Sequence, residues 1–382
     1  MPIGLFALAV SAFAIGTTEF VIVGLIPEMA RDLGVSLTTA GLLVSLYALA
    51  ITLGAPTVTA LTGRLPRRGL AIGLMAIFTA GNLIAAFAPG YGLLLTGRIV
   101  TGIAHGVFFS IGATVATSLV EKSRSGQAVA LMFAGLTVAM VVGVPLGAFI
   151  GQHLGWRAPF LVVAALGAVS VAGLMLFLPK EIAHTPPSGL MRQLGLLGQP
   201  RLLALYLVTV FGFGASFTVF TYLSPLMMGV TGVSEETVSL ALMLFGVATV
   251  IGNLAGGRLS DAMGRRGAML LTLAGLIAAL AAIPFTASHS VAMFANLFVW
   301  GVFAFGLSPI VQAGVVVVAE EVAPDAVGTA SGFNIAAFNL GISAASFIGG
   351  LLVAGPGVLT TPWAAVAGAA VALVIAALQP RT

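Results

Sequence analysis

Apolar residues in this chain run on for whole stretches instead of alternating with polar ones. A helix crossing the hydrocarbon core of a bilayer needs roughly 20 mostly apolar residues. Runs of that length fall at about 3–28, 38–62, 70–88, 91–119, 127–152 and 158–178, and again at about 202–228, 236–260, 268–287, 290–318, 327–353 and 358–378. The pattern predicts twelve transmembrane helices. The first run has no basic segment before it and continues through Gly24, so it reads as a retained helix rather than a cleaved signal.

The basic residues test this count. With the N-terminus in the cytoplasm, the inner connections hold Arg64, Arg67, Arg68, Lys122, Arg124, Lys180, Arg192, Arg201, Arg258, Arg265, Arg266 and Arg381. The outer ones hold Arg31 and Arg157. Twelve against two is a strong positive-inside bias, and one missed span would scramble it. Both termini are therefore expected on the cytoplasmic side.

Composition agrees. Of 382 residues 59% are hydrophobic and 7% charged, with a mean hydropathy of +1.16. A soluble domain carries about 25% charged residues, so most of the outer surface must face lipid. Fifteen Lys and Arg against eleven Asp and Glu give a net charge of +4. That balance reflects orientation in a membrane, not nucleic-acid binding. With no cysteine, disulfide and thiol chemistry are excluded.

The one long interruption, 179–200, holds Pro186, Pro187 and Gly189. It divides the chain into a first bundle over 1–179, a cytoplasmic linker over 180–200 and a second bundle over 201–382. The halves share punctuation: Arg67-Arg68-Gly69 returns as Arg265-Arg266-Gly267, a shift of 198 residues that also sets Asn296 opposite Arg98. A duplicated bundle of six plus six helices around a central substrate path is the usual meaning of such a repeat. The expected fold class is all-α integral membrane, with two pseudo-symmetric six-helix bundles.

After the eighth run the chain reads Gly257-Arg258-Leu259-Ser260-Asp261-Ala262-Met263-Gly264-Arg265-Arg266. This resembles the signature loop of the major facilitator superfamily. The matching first-half loop keeps Arg64, Arg67 and Arg68 but has Gly63 where that family has Asp. Arg98 with Gly102 is similar to its intramembrane arginine motif, and Gly135, Gly143, Pro145 and Gly147 to a shortened form of its antiporter motif. With Thr17-Thr18-Glu19-Phe20 and Ala104-His105-Gly106, the likeness is to the drug:proton antiporter branch, near bacterial sugar-, arabinose- and purine-efflux proteins. It implies a secondary transporter of a bacterial inner membrane.

Glu19, Arg98 and His105 are the ionisable groups inside the spans. A charge at a helix centre costs about 2.5–3.5 kcal/mol on insertion scales, so each needs a reason. At a rise of about 1.5 Å per residue, Glu19 and Arg98 sit roughly 10–12 Å below the outer surface. His105 follows two turns on along the same face as Arg98. Burial favours a neutral carboxyl and a nearby guanidinium favours an ionised one, so opening and closing such a site would swing a proton on and off Glu19. His105 is the second candidate carrier and Arg98 a tuning group. The bland alternatives are a static ion pair and a buried hydrogen-bonding histidine.

Gly143, Pro145 and Gly147 suggest a bending point in the fifth span, or else plain tight packing. The basic clusters Arg64, Arg67, Arg68, Arg258, Arg265 and Arg266 serve orientation at the least. The acidic loop of Glu320, Glu321 and Asp325 runs against the inside trend, and pairing it with the second-half arginines would latch the cytoplasmic face. The resemblance adds Asp261 to that gate. For the substrate pocket the candidates are Tyr47, Phe108, Phe109, Phe217, Asn296, Trp300, Asn334 and Asn339, although aromatics taken singly more often face lipid or pack. No second-half span carries an interior charge, so a neutral or amphipathic solute such as a sugar, nucleoside or drug fits better than a polyphosphate.

Neither lysine follows a glycine, so a phosphate-binding P-loop is absent. No HExxH, GxSxG or paired intramembrane carboxylates point to an enzyme. No cofactor and no metal site are expected, and a monomer is. Proton-coupled efflux is the leading expectation, with a passive facilitator or a proton symporter on the same fold as alternatives. Glu19 argues for coupling, and the direction rests on the resemblance.

Overall fold

A backbone surrounded by lipid must satisfy its own polar groups, which leaves helices or closed barrels. The computed structural model, which describes residues 1–182 and 195–379, has twelve helices long and apolar enough to span, and no strand among the described residues. They are α1 (Ile3–Gly24), α2 (Leu37–Leu61), α3 (Arg67–Ala86), α4 (Tyr91–Ser118), α5 (Ser125–Leu154) and α6 (Arg157–Phe177). The second six are α7 (Pro200–Phe220), α8 (Glu235–Met263), α9 (Arg265–Thr286), α10 (Ser290–Val322), α11 (Val327–Ala354) and α12 (Val358–Leu378). An even number of crossings puts Ile3 and Leu378 on one face, called the terminal face below. Residues 183–194 of the expected linker, Arg192 among them, and Arg381 lie outside the described residues.

Two boundaries differ from the hydropathy reading. The α-helical part of α1 stops at Phe20, a 3-10 turn covers Val21–Gly24, and a separate short helix Ile26–Asp32 follows. Ile26, Met29 and Ala30 are buried there, so the apolar pattern runs straight through the break. In α7 the helix loosens into a π-turn at Thr209–Phe213 and ends in the short piece Phe217–Phe220; past the span follow the short helix Leu223–Leu226 and a second π-turn at Met227–Thr231. Such turns change the hydrogen-bond register without changing polarity, so hydropathy is blind to them.

The six-span repeat is visible in the packing. Helix α1 lies against α5 as α7 does against α11, α2 against α4 as α8 against α10, and α3 against α6 as α9 against α12. Within the first half, small residues let two parallel helices touch. A side-chain carbon at Gly135, Gly143, Gly147 or Gly151 of α5 would strike Ala9, Thr17 or Val21 of α1 or Leu25 just past its end, a constant offset of 126 residues.

Between the halves, α2 and α11 run antiparallel. Thr38 Oγ1 donates to the Gly350 carbonyl at 2.8 Å, Ser45 Oγ to that of Ser343 at 2.8 Å, and Thr52 Oγ1 to that of Ala336 at 3.4 Å. Each rung lies seven residues on along α2 and seven back along α11, the spacing of two helices winding about one another. The next pair in the series, Thr59 and Thr329, makes no rung, and Thr59 Oγ1 is buried without a partner.

Helices α5 and α8 repeat this behaviour. Away from the terminal face Gln152 Nε2 donates to the Glu235 carbonyl at 2.8 Å, and Ser239 Oγ to Gln152 Oε1 at 3.0 Å. Arg31 pairs with Glu235 at 2.7 Å beside them. At mid-depth a carbon on Gly246 would strike the Met140 carbonyl. Towards the terminal face, carbons on Gly126, Gly257, Gly328 or Gly332 would meet nothing within 4 Å. The two halves thus touch from the far face to mid-depth and part towards the terminal face.

Candidate functional site

A guanidinium placed in a membrane interior needs acceptors, and the first half supplies carbonyls and a ring. Arg98 on α4 is buried, with its Cζ 3.9 Å from the centroid of the Tyr47 ring of α2. Nη1 donates to the Thr18 carbonyl at 2.7 Å and to Thr18 Oγ1 at 3.4 Å, and Nε to the Leu43 carbonyl at 3.4 Å. Nη2 is buried with no partner. Thr18 Oγ1 in turn donates to Asn82 Oδ1 of α3 at 2.7 Å. Arg98 therefore ties four helices together through polar groups that have few other partners in lipid.

Tyr47 extends the chain. Its hydroxyl lies 3.0 Å from His105 Nδ1, and either group donates according to the imidazole tautomer. The imidazole packs 5.0 Å from the ring of Phe109, which packs in turn 5.3 Å from Phe133. Phe108 stands edge-on to Phe109 in the closed interior of the first half. Arg98, His105 and Phe109 lie along one side of α4, and Tyr47 of α2 bridges Arg98 and His105, so the four form one continuous track.

Glu19 sits in the last α-helical turn of α1, beside the Thr18 that Arg98 grips, and is buried. It lies within electrostatic reach of Arg98 and Tyr47. Among the described residues its carboxyl makes no hydrogen bond and no ion pair within 4.0 Å. The static ion pair with Arg98 is not formed. Arg98 spends its donors on backbone because Thr18 and Leu43 present carbonyls directly to it.

The second-half candidates scatter. Trp300 donates from Nε1 to Ser216 Oγ at 3.1 Å and is buried in an aromatic cluster with Phe217, Phe220 and Phe245. Asn334 accepts from Thr209 Oγ1 at 2.7 Å and donates to Gln312 Oε1 at 2.8 Å, binding α11 to α7 and α10. Asn339 donates to its own helix and leaves Oδ1 buried without a partner. Asn296 departs from expectation. Its amide donates to the Ala279 carbonyl at 3.0 Å and to Thr286 Oγ1 at 3.4 Å, so it is committed to α9 and not to the centre.

The gating candidates divide by what they touch. Arg68 Nη2 donates to the Met175 carbonyl at 2.6 Å and Arg266 Nη2 to the Ala377 carbonyl at 2.5 Å. Met175 and Ala377 lie in the last turns of α6 and α12, where carbonyls have no intrahelical donor. These two arginines therefore cap the final span of their own half, where a latch role was expected of them. Glu321 pairs with Arg201 at 2.6 Å, a residue of the same half that the sequence reading had not chosen. Arg265 folds its stem over Gly314. Arg67 is buried with Nε and Nη1 unpartnered. Arg64, Arg258, Asp261 and Glu320 are exposed, and the Asp325 side chain lies outside the described residues.

At the bending point expected in α5 the helix forms a π-turn, Ala139–Gly143, which ends two residues before Pro145. Proline has no N–H for the Val141 carbonyl, and the wider turn accommodates the missing bond. Gly143 and Gly147 also serve packing, since both belong to the row against α1.

Three contributors were missed in the sequence. Asn82 is the one Asn of the first half, and that rarity within a span was the available signal. Thr18 was singled out only as part of the Thr17-Thr18-Glu19-Phe20 stretch, and nothing in the sequence marked it as the acceptor for Arg98. The far-face seam of Arg31, Gln152 and Glu235 involves partners 204 and 83 residues apart, which no local pattern joins. Beside that seam Asp32 Oδ2 accepts from Arg157 Nη1 at 2.7 Å and Trp156 Nε1 at 2.8 Å, which hold its carboxyl below the ordinary value. Glu28 accepts from the Trp156 N–H at 3.1 Å, but burial pushes its carboxyl up.

With this geometry in view, the comparisons with known proteins are consistent. The family model described as Major Facilitator Superfamily matches residues 8–234 and 205–381. The inner membrane transport protein YdhP of Escherichia coli (strain K12) is 42% identical over 386 residues, covering 99% of this chain and 97% of that protein. The chloramphenicol resistance protein of Streptomyces lividans is 36% identical over 372 residues, covering 93% and 94%. Among solved structures, a bacterial homolog of the human lysosomal transporter Spinster, in an inward-facing and unoccupied conformation, superposes with a TM-score of 0.77. That match is 17% identical and covers 98% of this chain and 95% of the other.

Proposed function

This chain belongs to the Major Facilitator Superfamily, and from that premise we propose that it exports a small neutral or amphipathic solute in exchange for protons, by alternating access. It is a multi-pass membrane transporter and not an enzyme. The finer reading rests on one observation above all: a buried carboxyl, Glu19, that no hydrogen bond or salt bridge holds, beside a fixed cation and a tyrosine–histidine track.

The basic bias assigns the terminal face to the cytoplasm of a bacterial inner membrane, so the form described here is open inward. In the exchange, Glu19 takes a proton when the far seam opens and gives it up to the cytoplasm in the present form. Solute enters as the proton leaves. Arg98 keeps the field at Glu19 constant because its own partners are backbone carbonyls of adjoining helices. Tyr47, Phe109 and the unpartnered oxygen of Asn339 offer stacking and hydrogen bonds to a neutral solute.

The halves 1–179 and 201–382 rock about the seams. Opening outward breaks the rungs at Thr38 and Ser45 and closes the terminal side, where Thr59 meets Thr329 and Asp261 of α8 nears Lys122 and Arg124 before α5. The direction of transport draws support from the Streptomyces lividans relative, whose name records resistance.

Reconstituted in liposomes with chloramphenicol as the probe, the protein should move protons when solute is added. Glu19→Gln should abolish flux driven by a pH gradient while inserting normally. Undiminished proton-coupled flux in that variant would sink the reading, and solute flux blind to the gradient in the wild type would make the protein a facilitator.

A further inference from the structure

An amide inside a span is costly unless its hydrogen-bonding groups are used. Asn82 of α3 is buried, and both ends of its amide are committed. Nδ2 donates to the Phe78 carbonyl of its own helix at 2.9 Å, and Oδ1 accepts from Thr18 Oγ1 of α1 at 2.7 Å. Under the 198-residue repeat the matching residue is Leu280, which is also buried. The frame therefore packs without an amide at this place. We propose that Asn82 is a positioning residue of the proton site, which through Thr18 fixes where the Arg98 charge stands relative to Glu19.

The direction of the Thr18 hydroxyl carries this assignment. Elsewhere along α1 the hydroxyls of Ser11 and Thr17 turn back to the carbonyls of Ala7 and Phe13, at 2.8 Å each. That is the ordinary habit of such side chains inside a helix. Thr18 instead gives its one hydrogen to Asn82, so its oxygen keeps lone pairs for Arg98 Nη1 at 3.4 Å. Its carbonyl, in the last α-helical turn of α1, accepts from the same Nη1 at 2.7 Å. Asn82 thus fixes a residue that holds the guanidinium at two atoms.

Thr18 directly precedes Glu19, so a displacement of Thr18 changes the spacing between carboxyl and cation. The groups that bear on Glu19 are Arg98 and Tyr47, with His105 behind the tyrosine. Neither α5 and α6, packed along α1, nor any second-half span brings a charged residue to that depth. A small movement of one guanidinium is therefore felt at Glu19 without a second charge to offset it.

The test is difference infrared spectroscopy of the purified full chain, titrating the protonated carboxyl band that disappears in Glu19→Gln. Asn82→Leu copies the second-half residue and removes a buried amide, so the variant should insert. Its Thr18 hydroxyl is free to bond back to Ala14, and Arg98 can turn its unpartnered Nη2 to Glu19. A closer cation favours the ionised carboxyl, so the midpoint of the band should move towards acid by about 1 unit. Thr18→Val removes the hydroxyl at nearly constant shape and should give a similar move, carrying the test even where the leucine variant fails to insert. Because Asn82 acts through Thr18, the double variant should move the midpoint no further than either single one. An unmoved midpoint, or shifts that add in the double variant, would overturn the positioning role. That role builds on the proposed proton exchange, yet the band needs no transport, so the two fail separately. A moved midpoint beside flux blind to the pH gradient would keep Asn82 in its role and remove the exchange.

Discussion

The two halves put opposite materials at equivalent positions. Under the 198-residue shift Glu19 answers to Phe217, Tyr47 to Phe245, and Gly102 to Trp300. Both halves use a hydroxyl residue at the same level, Thr18 receiving Arg98 and Ser216 receiving Trp300. Yet the first half gathers a carboxyl, a guanidinium, a phenol and an imidazole, whereas the second packs Phe217, Phe220, Phe245 and Trp300 ring upon ring. One frame supports both because each half needs only that its central helices be tied. A fixed cation does so by hydrogen bonds, and an aromatic cluster by area and edge-to-face contact. Under the proposed exchange the difference is a division of labour: the first half holds the groups that would titrate, and the second gives them an apolar aromatic surface to close against.

That division can be broken most directly at Glu19. Glu19→Gln should reduce pH-driven flux to background, while Phe217→Leu at the matching position should leave proton coupling intact and alter only solute affinity. Liposome flux with a pH dye reads both. Trp300→Ala should show the converse, a stability loss of about 3–5 kcal/mol with coupling retained, seen as a lowered unfolding midpoint beside a normal proton-to-solute ratio. Tyr47→Phe removes only the bond to His105 and should cost about 1 kcal/mol, yet it should shift the pH at which transport is half-maximal. An unmoved pH profile would place the tyrosine–histidine track outside the proton path.

The absence of native cysteines allows the proposed rocking to be tested. Thr59→Cys with Thr329→Cys should cross-link only when the terminal side closes, so solute or gradient conditions should change its yield opposite to that of Thr38→Cys with Gly350→Cys. Parallel responses would contradict rocking about the α2–α11 seam.

The smallest effect concerns a cap that only the first half has, since Val230 and Gly355 stand where Asp32 and Arg157 would recur. Hydrogen bonds from Arg157 and Trp156 depress the folded carboxyl of Asp32. Its contribution is therefore present above the unfolded value and lost as pH falls through the folded one. Asp32→Asn should slightly lower the unfolding midpoint at neutral pH and flatten its acid decline. Glu28→Gln should do the reverse, since burial raises that carboxyl and its ionised form is the costly one.

Much of this was legible in the chain. Spans follow from hydropathy because lipid leaves helices no other choice, and Glu19, Arg98 and His105 were conspicuous as charges where charges are expensive. Tyr47 was legible only as an aromatic. Its bond to His105 depends on the pairing of α2 with α4, which no local pattern encodes. Asn296 was misplaced because the repeat fixes its position along α10 but not which neighbour offers the nearer carbonyl. Arg68 and Arg266 read as gate residues because a basic cluster looks the same whether it waits for a partner half or already holds the end of its own.

The row of glycines between α1 and α5 carries a further consequence for how such a chain can change length. All four contacts share one offset, so a single residue inserted early in either helix would turn its side of every later contact by about a hundred degrees at once. Point substitutions can be absorbed one contact at a time, but insertions cannot. The two helices are bound to a common register, and length variation in this transporter should collect in its connections, leaving α1 and α5 to be inherited as a pair.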